Sequence, residues 1–540
     1  MYSKFLRGSF ILTLGMVLSK ILGLIYIIPF TAIVGNDGIE LYAYGYIPYT
    51  IFISIATGGL PLAVSKFVAK YNTLGQYNIG FKLFKSGIAL MLFTGIVSFF
   101  IMFSIAPKLS SIVLPDQGSV FLEKDVTLVI RSVSFALILV PVMSLIRGFF
   151  QGYGSMGPTA VSQVIEQLFR VLFLLFGAYF VIYLRNGSIV TAICISTFAA
   201  SVGAIASLVV LIWYWYKRKK YLFANFNQTE EKIPLKPIYI EVITYSVPFV
   251  FAGLAFSIYQ FIDQLTFNKT LESIGLAEQT GYFYSILSMT APKLILIPVT
   301  LATAFTQSII PNLTKISIQD NFILFEKLLN RILQIFLFLI IPASIGLSIL
   351  CQPFYTAFFG FDEYGQDILH IYAPVAIEIG LFSITAAILQ GINKQKLTIL
   401  SLSLGILLKI FINIPLIEVY QAEGAIISTA ISYLFSIIIN LLGIKYYSGY
   451  RFKVVFRRCL LIITITIIMS TAVLTTDTIL SLFINEKSRG GSVFRIVMDV
   501  TIGLIIYFYL SVRSNLFVRL FGESKITYLR NKGIMDRHKN

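Results

Sequence analysis

Eight ionisable side chains lie deep inside apolar runs of this chain: Lys20, Arg131, Glu166, Arg170, Asp263, Lys293, Glu378 and Lys409. Their formal charges sum to +2. A charge at the centre of a bilayer costs about 2.5–3.5 kcal/mol on insertion scales, so such residues imply pairing, a water-filled cavity or a function. A net basic interior suits an anionic ligand. The densest group follows Arg147, in "RGFFQGYGSMGPTAVSQVIEQLFRVLF". Ser162, Glu166 and Arg170 recur at i, i+4 and i+8, with Thr159, Gln163 and Gln167 beside them. On a helix they make one polar stripe, and Val161, Val164, Ile165, Leu168 and Val171 make the opposite face. Glu166 and Arg170 are spaced to pair along the helix. The stripe either glues this helix to its neighbours or lines a hydrated cavity. For the second role the lining set is Ser162, Gln163, Glu166 and Arg170, with Glu378 from another span. Lys20 lies about a dozen residues from either end of its run, too far in to snorkel. Lys293 follows Pro292, which frees a backbone carbonyl and allows a kink, so this lysine is expected to face substrate. Neither lysine has an acid at i±3 or i±4. Arg147 sits towards the cytoplasmic end of its span, where it can meet a substrate.

These residues need membrane-spanning helices to hold them. Of 540 residues, 57% are hydrophobic and 12% charged, against about 25% charged in soluble domains. Apolar runs long enough to span a bilayer recur throughout. Fourteen spans are expected, at roughly 9–34, 44–69, 84–107, 126–150, 157–184, 188–216, 239–267, 281–311, 327–351, 365–390, 397–418, 424–446, 454–475 and 492–512. The first resembles a signal peptide in its basic start but is too long for one. The net charge of +17 is distributed by topology. About thirty Lys and Arg fall in the connections on the N-terminal side and about six on the other, the bias of the positive-inside rule. Both termini are therefore expected in the cytoplasm. This distribution argues against a nucleic-acid partner and for anionic lipid.

The chain also repeats itself. Pro61 aligns with Pro298, Gln151-Gly152 with Gln390-Gly391 and Arg170 with Lys409, a spacing of about 240 positions each time. Two six-helix lobes follow: residues 1–216 and 239–446, joined by a basic linker at 217–238. Residues 447–512 add a helix pair, and 513–540 form a basic cytoplasmic tail. Repeats with an even number of spans keep one orientation, an architecture found in transporters that rock two halves for alternating access. The "GYGSMG" of Gly152–Gly157 fits a dinucleotide fingerprint, but the strand such a motif requires is replaced by a membrane helix; we expect a helix–helix turn with Pro158 opening the next span. Three scattered cysteines and two histidines suit neither a disulfide set nor a metal site. No catalytic motif is present and no cofactor is expected.

"SKILG", "GGLPLAVSKFVAKYN", "RGFFQGYGSMGPTAVSQVIEQLFR" and the second "QG" at Gln390 together resemble the multidrug/oligosaccharidyl-lipid/polysaccharide (MOP) exporter superfamily, and within it the YtgP/SpoVB branch of MurJ-type lipid II flippases. The resemblance runs along the whole chain. It implies a protein of the bacterial cytoplasmic membrane that moves undecaprenyl-pyrophosphate-linked peptidoglycan precursor from inner to outer leaflet. The implied partners are that anionic lipid and the membrane lipids, with cell-wall synthesis proteins alongside a monomer. The headgroup would contact Lys20 and Lys293, with Arg147 on the cytoplasmic side, and the last helix pair would hold the lipid tail. Lys20 matches a basic residue of the family, while a second family arginine is here Tyr26, so the headgroup site is arranged differently.

Some members of this family bind sodium through an Asp in span 7, an Asn and an Asp in span 11 and a Thr in span 12. Asp263 and Thr429 match, and the span 11 pair falls on Lys409 and Asn413. The expectation is that Lys409 supplies the positive charge in place of sodium, held by Asp263 with help from Asn413 and Thr429. Three rivals differ in kind. A flippase for another polyprenyl-linked glycan would look much the same. A MATE-type drug exporter should have twelve spans and an acidic interior. A membrane glycosyltransferase needs catalytic carboxylates, often in a large outer loop, and no outer loop here exceeds about 20 residues.

Overall fold

In hydrocarbon every backbone N–H and C=O must be satisfied within the protein, which leaves helices for a chain of apolar runs like these. The structure, a computed structural model, describes residues 15, 18–57, 59–115, 120–223, 235–307 and 322–521. Among them every regular element is helical. The start of the first span, half of the 217–238 linker and most of the 513–540 tail lie outside the described residues. Among the described residues eleven helices are long and apolar enough to cross a membrane.

By packing, the described residues form two units, one within 1–289 and 402–429, the other within 290–401 and 430–540. These units cut across the repeat boundaries, because the segment Leu402–Thr429 packs with the first. In the first unit we number α1 (Ile27–Thr57), α2 (Leu60–Thr73), α3 (Tyr77–Val113), α4 (Glu123–Ser134), α5 (Ala136–Gly152), α6 (Met156–Tyr179), α7 (Ile189–Phe223) and α8 (Leu235–Ser273). Helix α1 breaks at Gly35, whose φ of 70° is open to glycine at no steric cost. Residues 153–155 make the α5–α6 turn, so the glycine-rich motif is a helix–helix connection. Phe84, Phe149, Phe150 and Trp215 interlock α3, α5 and α7, with the Phe84 and Phe149 centroids 4.1 Å apart. Helices α6 and α7 run tightly together at Gly203, where an added Cβ would stand 2.7 Å from Glu166 O and 3.0 Å from Arg170 Cβ.

The second unit holds α9 (Ala291–Gln307), α10 (Phe322–Ile349), α11 (Glu363–Tyr372), α12 (Val375–Gly391), the ends of α13 (Gln395–Ser448), then α14 (Lys453–Phe483) and α15 (Arg489–Arg513). A span broken in its middle and ending at the Gln-Gly dipeptide occurs as α4–α5 in one unit and as α11–α12 in the other. Helix α13 is itself two helices, broken at Gln421 (φ 53°, ψ −129°).

Prolines inside these helices leave the carbonyl four residues back without its amide donor. Four of those carbonyls are answered by side chains. Gln264 Nε2 donates to Tyr44 O (3.0 Å), behind Pro48. Arg131 Nε donates to Phe103 O (3.3 Å), behind Pro107. Tyr507 OH donates to Phe338 O (2.8 Å), behind Pro342. Ser348 Oγ donates to His370 O (2.7 Å), behind Pro374, where α11 gives way to α12. Arg131 thus has a structural occupation within its span.

Each donor should matter only while its proline is there. Tyr507→Phe orphans a buried carbonyl and is expected to cost about 1–3 kcal/mol, read as a lower melting temperature in detergent. In a Pro342→Ala background the restored amide takes Phe338 O, so the same change should cost much less. Equal losses in both backgrounds would disconnect the hydroxyl from the proline.

Candidate functional site

Two polar clusters organise the first unit, and both follow from the price of burying charge. The first is built around Arg147. Helices α5 and α6 fold back on each other through the 153–155 turn, and this brings Arg147 across to the polar stripe of α6. Its Nε donates to Ser162 Oγ (2.9 Å), and its Nη2 to Glu166 Oε2 (2.7 Å) and to Ser207 Oγ on α7 (2.8 Å). Thr159 Oγ1 donates to the carbonyl of Arg147 itself (3.3 Å). Arg147 and all three hydroxyl residues are buried.

Two expectations change here. Arg147 was expected to greet substrate, but it is sealed inside a three-helix junction, where its charge is already answered. Ser162 was expected to line a hydrated cavity, but it is fully buried as the acceptor of Arg147. Glu166 is also claimed by Arg147, across the turn, rather than by Arg170 one helical turn away. Gln163 and Glu166 are half-buried. Arg170 stays partly exposed, its guanidinium 5.3 Å from the centroid of Tyr46. Lys20 is exposed.

The second cluster joins α8 to the central part of α13. Lys409 Nζ lies 2.8 Å from Asp263 Oδ1. It also donates to Thr429 Oγ1 (2.6 Å), Ser428 Oγ (3.3 Å) and Ala425 O (3.4 Å). Asn413 Nδ2 donates to Asp263 Oδ1 (3.1 Å) and to Thr266 Oγ1 (2.8 Å), and Ser428 donates to Asn413 Oδ1. The break at Gln421 makes this possible. It folds α13 back on itself, so that Lys409 from one half meets Ala425, Ser428 and Thr429 from the other. Lys409 is 0% exposed and Asp263 5%, so the ammonium has oxygen acceptors in place of water. The four residues named from the sequence are therefore in one cluster.

In the second unit Lys293 is half-exposed in the first turn of α9, directly after a π-helical turn at Ile286–Thr290. Glu378 is half-buried in the first turn of α12, and its Oε2 has no hydrogen-bond partner among the described residues.

With this geometry in hand, the relatives can be compared. A family model described as polysaccharide biosynthesis protein matches residues 5–317. The Lipid II flippase MurJ of Bacillus subtilis (strain 168) is 43% identical over 531 residues, covering 97% of this chain and 98% of that one. This chain belongs to the MurJ family. Its fold agrees: a solved Lipid II flippase MurJ, in an inward closed conformation, aligns at a TM-score of 0.64 with 18% identity, covering 94% of this chain and 98% of that chain. A multidrug resistance MATE transporter of the MOP superfamily, in an inward-facing conformation, aligns at 0.62 with 12% identity, covering 80% and 94%.

This MurJ-family chain also holds polar clusters that the sequence reading passed over. Arg495 on α15 donates through Nε and Nη2 to Asp477 Oδ1 on α14 (3.0 and 2.7 Å), with Asp499 buried one turn on. The Arg495/Asp499 spacing of four inside an apolar run was the available signal. Near the start of α1's second half, Tyr44 OH donates to Glu40 Oε1 (2.6 Å), and both are buried. Asn268 of α8 donates to that hydroxyl and to Val113 O. The Glu40/Tyr44 spacing of four was the local signal, whereas Asn268 lies 224 positions away and no local spacing announces it.

Breaking a buried pair by removing one partner is expected to cost about 3–5 kcal/mol. Asp263→Ala and Lys409→Ala should each lower the melting temperature sharply, and the double variant should lose less than the two losses added. A double variant that loses their full sum would show that the two side chains are energetically independent.

Proposed function

We propose that this chain carries lipid II, the undecaprenyl-pyrophosphate-linked peptidoglycan precursor, from the inner to the outer leaflet of a bacterial cytoplasmic membrane. One observation carries the reading: identity of 43%, over nearly the full length of both chains, to a protein named a lipid II flippase. The task is translocation, with no bond made or broken. In this reading the chain crosses the membrane fourteen times. The breaks at Gly35 and Gln421 support that count, since each turns one long apolar helix into two crossings. Helix α8 supplies the remaining one. An even number puts both termini on one side, and the Lys and Arg excess makes that side the cytoplasm.

The lobes 1–216 and 239–446 give alternating access, and the pair within 447–512 accommodates the lipid tail. Lys20 and Lys293 contact the pyrophosphate. Their accessibility supports this: Lys20 is exposed and Lys293 half-exposed, while Arg147 and Lys409 are buried against carboxylates. Gln163 and Glu378 face the path of the headgroup. Lys409, held by Asp263, Asn413 and Thr429, takes the place of a coupling cation. The membrane potential then assists transport, since moving negative charge out of a negative interior releases about 2.3 kcal/mol per charge per 100 mV. The protein works as a monomer, beside the proteins that polymerise its cargo.

Three measurements bear on this. In cells depleted of this protein and lacking any other flippase, outer-leaflet lipid II should disappear from accessibility labelling; persistence would refute the substrate. Lys20→Ala and Lys293→Ala should each fail to complement such cells while reaching the membrane normally, and arginine at either position should partly rescue, since phosphate accepts both donors. Wild-type transport should be unchanged when sodium is replaced by potassium, and a sodium requirement would remove Lys409 from its assigned role.

A further inference from the structure

The Arg147–Glu166 pair leaves one cation over. Arg170 stands one helical turn beyond Glu166, midway along the 156–184 span. The carboxylate best placed to neutralise it is already bound to Arg147 at 2.7 Å. Among the described residues no carboxylate lies within ion-pair distance of Arg170. Its surroundings are tyrosines instead: Tyr26, Tyr42, Tyr46 and Tyr49. Tyr46 stacks on Tyr42 with centroids 5.3 Å apart and planes at 20°, and leans on Tyr49 at 5.8 Å. Tyr26, Tyr42 and Tyr49 are buried, whereas Tyr46 and Arg170 both keep an accessible surface.

The segment that carries Lys20 lies alongside. An added Cβ at Gly23 would meet Gln167 Nε2 at 3.1 Å, and one at Gly15 would meet Ala160 Cβ at 2.8 Å. The two segments therefore run parallel. Lys20 is one turn before Gly23 and Arg170 one turn after Gln167, so the two cations are spaced roughly 10 Å along the helix axis. Between them lies the polar edge of α6. A planar guanidinium offers two parallel donors to an oxyanion. The Tyr46 ring beside it, with Tyr42 stacked on it and the guanidinium over it, offers its accessible apolar edge. Together they match a sugar bonded to a phosphate, with charge at one end and a flat, hydroxyl-fringed ring at the other.

We infer that Arg170 and Tyr46 form a subsite for the sugar–phosphate junction of the lipid-linked substrate, Arg170 taking the sugar-proximal phosphate and Tyr46 the apolar face of the first sugar. The inference rests on the flippase reading above and adds a place for the part of the headgroup that the two lysines leave unaccounted for. A purely structural role, Arg170 serving only as glue between α6 and the tyrosines, makes different predictions.

The test uses the full chain in nanodiscs with two probes. Lipid II carries both sugar and pyrophosphate; undecaprenyl pyrophosphate carries the phosphates without the sugar. Arg170→Gln should weaken both probes at least tenfold, with Arg170→Lys between it and wild type. Tyr46→Ala should weaken lipid II about tenfold and undecaprenyl pyrophosphate less than twofold, and Tyr46→Phe should bind both like wild type. Should Arg170→Gln fail to fold, Arg170→Lys and the probe difference of Tyr46→Ala decide alone. Wild-type affinities in these variants, or equal losses for both probes in Tyr46→Ala, would overturn the subsite while leaving the flippase reading intact. A wild-type protein that does not bind lipid II would overturn the reading and the subsite together.

Discussion

A backbone carbonyl opened inside the membrane has to be answered by another part of the protein, and much of this structure follows from that demand. Prolines at 48, 107, 342 and 374 each leave a carbonyl bare, and Gln264, Arg131, Tyr507 and Ser348 close them. Every closure ties two elements together, and those made by Gln264 and Tyr507 are buried. The kinks in the helices and the polar residues scattered through apolar runs thus have one cause. The same demand governs full charges. Among the described residues, Arg147 with Glu166, Lys409 with Asp263 and Arg495 with Asp477 are the ion pairs that result. A cation left outside this accounting, such as Lys20 or Arg170, is one that substrate or water can reach.

Much of this was legible in the chain, and the rest was lost for definable reasons. Helical class is written in the long apolar runs, because lipid permits few alternatives. The polar stripe of α6 was also legible, since spacing of four along a helix is a local property. Its wiring was not. Glu166 and Arg170 had the better local spacing, yet Arg147 won by crossing a turn and bringing Ser162 and Ser207 with it. The geometry of a turn and the closeness of α7, admitted by Gly203, are not local facts. Asp263 and Lys409 lie 146 positions apart, and only family resemblance put them together. The prolines were visible from the start. Their donors were not, because each depends on which helix comes to lie alongside.

Fold and cargo are separable among proteins of this shape. A multidrug transporter aligns almost as well as a lipid II flippase, at TM-scores of 0.62 and 0.64. The helices therefore do not name what is carried. What can differ within a common scaffold is which ionisable groups are cancelled by neighbours and which are left standing. Here the carboxylates Glu166 and Asp263 are both consumed by basic partners, while Lys20 and Arg170 keep accessible surface and Glu378 has no ion pair among the described residues.

The bond from Tyr507 to the Phe338 carbonyl has a consequence for how the protein is made. Its two ends are 169 residues apart, and ribosomes add about 5–20 residues per second. The carbonyl bared by Pro342 therefore waits roughly ten to thirty seconds for its donor to be synthesised. During that interval α10 is a membrane helix with an open polar site, attractive to water, to lipid headgroups or to a chaperoning partner. Completion of α15 closes it, so α10 gains this interhelical bond only when a much later segment of the chain arrives.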